Sequence, residues 1–308
     1  MKSIKVILLW VCASSFLLAQ ERQTVIAEQG DGIFSILRKQ GLSPAKYYEE
    51  FITINAKNIK DGSMLHVGRE YRIPVASDSF KNTGVKMEAG KTTEAPIFDT
   101  ELADMSLKSK TLKDAIYYLI AENQDKTKDA FISDVVKNLA KELMVQGATV
   151  YIIERDKTLL EGKTLTGAEQ MGGYIETINK RYLQNSGKYQ RLLMIRADDL
   201  IENGNIDVAV YHHEKSEKSQ RLATNIENVF KKNSISNRSF EDADMIFKDD
   251  TSLYLAKNTL PALSLVVITN SSKKSVEGTI PVRSDKKSFT NWIASGILKD
   301  YADLKIEE

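Results

Sequence analysis

The stretch Arg191 to Asp199, RLLMIRADD, carries four apolar residues, Leu192 to Ile195, into Arg196 and then two aspartates. A short apolar run with so abrupt a polar end reads as a buried strand arriving at the rim of a sheet. In open α/β folds, ligands and reacting groups collect at that carboxyl rim. An arginine there does one of two things. It pairs with a carboxylate such as Asp129, Asp198 or Glu122, because a buried cation needs a partner, or it grips an anionic ligand through its guanidinium fork. Other reactive types are sparse. The histidines are His66, His212 and His213. His212 and His213 are adjacent on an expected strand, so their side chains leave opposite faces and cannot chelate one ion together. The pairs Asp198–Asp199 and Asp249–Asp250 read as solvated loops. No serine sits in a nucleophile elbow, and no glycine-rich phosphate loop occurs.

These residues need a scaffold, and from Thr111 onward strand-like and helix-like patterns alternate. Strands are expected at AIYYLIA (115–121), ATVYIIE (148–154), RLLMIR (191–196), IDVAVYHH (206–213), SLYLA (252–256) and LSLVVIT (263–269). Ile132, Val135, Val136, Leu139 and Leu143 share one helical face that stops near Gly147. Further helices run around 168–184, through Leu222, Ile226 and Phe230, and through Phe289, Trp292, Ile293 and Ile297. This alternation predicts an α/β domain, a three-layer αβα arrangement on a mostly parallel sheet. Residues 77–110 are polar with little sustained periodicity and read as a linker with some local order near Leu102 to Leu107.

The 308 residues suffice for two domains. The 43 basic against 42 acidic residues leave no basic footprint for nucleic acid. The N-terminus, MKSIKVILLWVCASSFLLAQ, has two lysines, an apolar run and then Ala19, the layout of a secretory signal peptide over residues 1–20. Its apolar run is shorter than the ~20 residues a spanning helix needs. Export across the inner membrane to the periplasm or cell envelope is the expectation. Cys12, the sole cysteine, falls inside this segment, so a mature chain would have no thiolate chemistry and no disulfide.

Residues 21–76 carry TVIAEQGDGIFSILRKQGLS, FITINAKNI and LHVGREYRIP. This block resembles a LysM domain, with Gly30, Asp31, Asn55, Gly68, Tyr71, Ile73 and Pro74 on its pattern. Gly32 stands where a small polar residue is usual. The resemblance implies a small βααβ fold that binds N-acetylglucosamine-containing glycans such as peptidoglycan. Its groove would lie between Gly30, Asp31, Gly32, Ile33 and Phe34 on one side and Asn55, Asn58, Ile59 and Lys60 on the other. The local alternative makes Asp31 a helix N-cap and Asn55 a cap at a helix end.

Residues 111–301 are similar to zinc-dependent N-acetylmuramoyl-L-alanine amidases, through LKDAIYYLIAENQD, DAFISDVVKNLAKELMVQGATVYIIERD, KYQRLLMIRADD, IDVAVYHHEKSEKSQRLATNI and TSLYLAKNTLPALSLVVITNSS. That family needs His, Glu and His on zinc and a Glu as acid/base, the metal activating a water for attack on an amide. Here Asn123, Ala130 and Arg196 fall at the ligand positions, with Asp129 beside Ala130, and Val267 falls at the acid/base. Asn270 keeps the family's Asn. An arginine is a fixed cation where a dication should bind. The resemblance with these departures implies a peptidoglycan-binding protein without catalytic residues, metal or other cofactor, and possible docking to another envelope protein. In the anionic-ligand alternative, Arg196 holds a stem-peptide or muramic carboxylate. Two rivals stand beside this. One is an active hydrolase using Asp129, Asp198 and His212, and the other an envelope scaffold or regulator that binds no glycan.

Overall fold

The computed structural model describes residues 23–59, 62–123, 129–155, 167–198, 204–236, 245–270 and 278–307. The expected signal peptide with Cys12, and also Lys60 and Asp199, lie outside them. The chain divides into two compact units, Met1–Ser79 with Thr100–Asp104, and Phe80–Asp99 with Met105–Glu308. Among the described residues no helix is long and apolar enough to cross a membrane.

The first unit has the order β1 (Thr24–Ile26), α1 (Ile33–Lys39), α2 (Pro44–Ile54), β2 (Glu70–Arg72), with β1 and β2 antiparallel. Helix α1 ends because Gly41 takes φ +71°. Its N–H reaches Arg38 O at 2.8 Å, and Leu42 N–H reaches Leu37 O at 2.9 Å. This is a Schellman closure that turns the buried Leu42 back onto the core. Pro44 then starts α2 with its φ already helical. Ile36, Leu37, Phe51 and Tyr71 are fully buried, each contributing roughly 1.5–3 kcal/mol by removal from water. Asn55 caps α2 and locks it to β2. Its Nδ2 donates to Phe51 O at 2.9 Å and Arg72 O at 2.8 Å, and its Oδ1 accepts from Arg72 N–H at 2.8 Å.

The second unit is built on an eight-stranded sheet in the order β10-β8-β9-β7-β5-β6-β3-β4. The strands are β3 (Gly84–Glu88), β4 (Glu94–Pro96), β5 (Ala115–Asn123), β6 (Thr149–Glu154), β7 (Tyr189–Ala197), β8 (Asn205–His212), β9 (Ala262–Asn270) and β10 (Ile280–Arg283). Strands β3, β6, β5, β7 and β9 are mutually parallel, while β4, β8 and β10 run against their neighbours. After a single turn α3 (Phe80–Thr83), the helices are α4 (Asp129–Val145), α5 (Gly167–Gln184), α6 (Glu217–Lys232), α7 (Asp250–Asn258) and α8 (Lys286–Glu307). Met171, Tyr174 and Ile178 of α5 and Leu255 of α7 pack on one face of the sheet, against Tyr118, Ile120, Leu192, Met194, Leu265 and Val267. Helices α4, α6 and α8 pack together on the other face. The result is a three-layer αβα fold with a mostly parallel sheet.

Two expectations are corrected here. The stretch 77–110 is not a linker. GVKME alternates buried Val85 and Met87 with half-buried Lys86 and Glu88, and pairs as β3 with the distant β6. Five residues are too few for that alternation to stand out from a polar background. The same stretch then returns to the first unit, where Thr100–Asp104 packs on α1 and Leu102 is fully buried. SLYLA is not a strand either. It lies in α7, started by the Asp249 side chain accepting Ser252 N–H at 2.8 Å. Ser252 and Leu255, three residues apart, supply its buried stripe. The strand β10, which the sequence analysis does not include, lies at the sheet edge, where Pro281 is tolerated.

On the α6/α8 face, Asp300 is fully buried and receives Arg191 Nε at 3.3 Å, Arg221 Nε at 2.7 Å and the Tyr189 hydroxyl. Arg191 also lies 4.1 Å from the Tyr189 ring centroid. This network ties α8, α6 and β7 together.

If Thr100–Asp104 completes the first unit, Leu102→Ala should destabilise it by about 2–5 kcal/mol. Hydrogen exchange should then show lost protection in α1 (Ile33–Lys39) and unchanged protection in β5 and β7.

Candidate functional site

The carboxyl rim of the parallel strands brings Glu122, Arg196 and Val267 into one row, since Glu122 registers with Arg196 and Arg196 with Val267. All three follow, at two-residue steps, side chains of the α5/α7 core, and so share that face. Arg196 Nη1 stands 3.9 Å from Glu122 Oε2, and its Nε 2.9 Å from Asp198 Oδ1. The Nε–H is not aimed at that oxygen, so the contact is an ion pair without a directed hydrogen bond. Asp198 is placed by its own N–H bonding to Ile268 O at 3.0 Å. Burial pushes the Glu122 carboxyl above its ordinary value. Arg196 pulls it back, Asp249 adds to the push, and Arg155 and Asp198 act more weakly in opposite senses. Burial likewise raises Tyr211, with Asp198 and Asp249 adding to it and Arg196 opposing. The Tyr174 hydroxyl is pushed up to about 12 by burial in the same neighbourhood.

This row does not fit a catalytic dication. Such a site needs three donor side chains and an open position, whereas a permanently protonated guanidinium stands between the carboxylates here. Val267 is buried in the apolar core and can carry no proton. Among the described residues, no three His, Cys, Asp or Glu side chains are placed to hold a metal ion. The side chains of Asn123 and Asp129 lie outside the described residues. His212 is not brought to the rim. Strand β8 is antiparallel, so His212 registers with Ser264, three residues or ~10 Å along β9 from the Arg196 level. It is buried, with Nδ1 3.3 Å from His213 O. The hydrolase built on Asp129, Asp198 and His212 therefore loses its histidine.

In the first unit the expected glycan residues divide by role. Asp31 is not the N-cap of α1; Gly32 is. The Asp31 carboxylate instead binds Lys39 Nζ at 2.8 Å, Glu28 N–H at 3.0 Å and the Ser35 hydroxyl at 3.0 Å. Burial works to raise Asp31, but these bonds, Lys39 first, outweigh it and hold the carboxyl below its ordinary value. Ile33 is a core residue and Asn55 is buried with its amide committed to backbone, so these two shape the surface and do not line it. Gly30 and Gly32 are exposed, and Gly30 takes φ +90° at the turn. Phe34 is half exposed, its ring 5.2 Å from that of Tyr48, a neighbour that sequence spacing did not single out. Asn58 holds its loop to β2 through Nδ2 to Glu70 O at 3.3 Å, and Ile59 packs partly on the core.

No family model matches the chain, and no curated protein matches it significantly. Solved structures resemble it in fold. One is the CwlD amidase of Clostridioides difficile in complex with the GerS lipoprotein, at 14% identity over 61% of this chain and 98% of that one, with a TM-score of 0.38. Another is an N-acetylmuramoyl-L-alanine amidase of Clostridium difficile 630, at 10% identity over 62% and 97%, TM-score 0.35. A metallo-carboxypeptidase of Burkholderia cenocepacia matches at 12% identity and TM-score 0.39, and there the chain spans only 58% of the relative's length. Likeness this distant carries no argument about activity. The fold stands on its own strand order.

Because the folded state holds the Glu122 proton to higher pH than the unfolded chain does, ionising Glu122 costs folding free energy. Wild-type stability relative to Glu122→Gln should therefore fall as pH rises above the ordinary glutamate value of 4.5. Denaturant melts of both proteins between pH 4 and pH 8 measure this. A flat difference, or a rising one, contradicts the assignment.

Proposed function

We propose that the protein is an exported peptidoglycan-binding protein, in which a LysM-like first unit holds glycan and an amidase-like second unit lacks hydrolytic activity. The observation that carries the second half is the row of Glu122, Arg196 and Val267 at the rim. Where the resembled enzymes require metal ligands and a proton carrier, this chain has a guanidinium ion-paired to Asp198 and a buried valine. The first half is supported by the βααβ order and by the exposed Gly30–Gly32 turn beside Phe34. Exposed backbone polar groups next to an aromatic ring suit an acetamido sugar, pairing with its amide and covering its methyl. Export rests on the N-terminal twenty residues as read from sequence.

Purified chain incubated with peptidoglycan sacculi should sediment with them, be released by soluble N-acetylglucosamine oligomers, and liberate no stem peptide even with added zinc. Phe34→Ala should weaken retention roughly 10-fold, as loss of an aromatic contact worth about 1.4 kcal/mol would do. Free protein in the supernatant, or stem peptides appearing with time, would overturn the proposal.

A further inference from the structure

The turn between β1 and α1 in the first unit is held by one continuous set of bonds. The Asp31 side chain carries a charge and yet is only 5% exposed. Its Oδ2 accepts Glu28 N–H at 3.0 Å, and its Oδ1 receives Lys39 Nζ at 2.8 Å and the Ser35 hydroxyl at 3.0 Å. Ser35 Oγ also lies 2.9 Å from Gly32 O, but the charged oxygen is the stronger acceptor for its one proton. The same Oγ accepts Gly32 N–H at 2.9 Å. Asp31 N–H closes the turn onto Glu28 O at 3.1 Å. The backbone from Glu28 to Gly32 is thereby tied at both ends, with Gly30 between them at φ +90°.

What the network leaves uncovered is equally specific. A Cβ at Gly30 or Gly32 would meet nothing within 4 Å, so the backbone at both positions faces open space. Gly30 needs glycine for its positive φ. Gly32 does not, because its φ of −120° suits any residue and a serine or threonine there would cap α1. The fold itself has no need of glycine at this position, whereas a ligand approaching the backbone closely does. Ser35 supplies, from inside α1, the hydroxyl that Gly32 lacks.

We propose that Asp31, Ser35 and Lys39 are positioning residues for glycan binding, holding the bare Gly30–Gly32 backbone in the geometry that an acetamido group meets. The proposal rests on the reading of the first unit as a glycan-binding module and deepens it. A turn fixed beforehand loses less conformational freedom when a sugar docks, which raises affinity without adding a contact.

The test titrates the purified full chain with a soluble N-acetylglucosamine tetramer by calorimetry, alongside Ser35→Ala, Ser35→Thr, Lys39→Met and Lys39→Arg. Ser35→Ala and Lys39→Met should each weaken binding roughly 10-fold through lost preorganisation. Ser35→Thr and Lys39→Arg keep the hydroxyl and the charge and should restore most of it. Thermal melts should show all four variants folded. In the free protein, hydrogen exchange should show Gly32 N–H losing protection in Ser35→Ala and Glu28 N–H losing it in Lys39→Met. Wild-type affinity in Ser35→Ala and Lys39→Met, while the wild-type chain binds, overturns this proposal alone. Equal weakening by Lys39→Arg and Lys39→Met also overturns it. If the wild-type chain does not bind the tetramer, the glycan reading itself fails and takes this proposal with it.

Discussion

A guanidinium placed at the carboxyl rim of a parallel sheet constrains everything near it. Arg196 cannot shed its proton, so its surroundings must supply negative charge, and they do so from the cross-strand neighbour Glu122 and from Asp198 two residues on. The arrangement is imperfect. One pair is long, the other is not a directed hydrogen bond, and Glu122 is left with its ionised form penalised by burial. The rim is therefore polarised, partly unsatisfied and incompatible with a dication at the same level.

The opposite face solves a similar problem more completely. Asp300 accepts from two arginines and a tyrosine and has no exposure to solvent. Three elements distant in sequence are pinned by one carboxylate, and removing one member of such a buried pair typically costs 3–5 kcal/mol. Through that carboxylate the network holds α8 and α6 to β7.

Much of this was legible in sequence, for identifiable reasons. The central strands are continuous apolar runs because both of their faces are covered, and β5, β6, β7 and β9 fall where those runs lie. The helical stripe of Ile132 to Leu143 needed only its period. Arg196 stood out because a charge ends an apolar run. What sequence alone does not show depends for the most part on remote partners. Strand β3 exists through pairing with β6, more than sixty residues on. Leu102 is buried by a helix far upstream, and the partner of Arg191 lies 109 residues away. SLYLA failed differently. Five apolar and small residues suit a strand or a buried helical turn equally, and the Asp249 cap decided for the helix. Among the residues expected at the glycan groove, the sequence pattern does not separate core, cap and exposed surface. Asn55 and Ile33 prove to hold the fold, while Phe34 faces outward.

The central claim is that a fixed cation, and not a metal, occupies the rim. Crystals grown in excess zinc and measured at the zinc absorption edge address it directly. The account predicts no anomalous peak between β5, β7 and β9, with Arg196 lying between Glu122 and Asp198. A zinc peak at that rim, with Arg196 swung away and donor atoms of this chain converging on the ion, would contradict it.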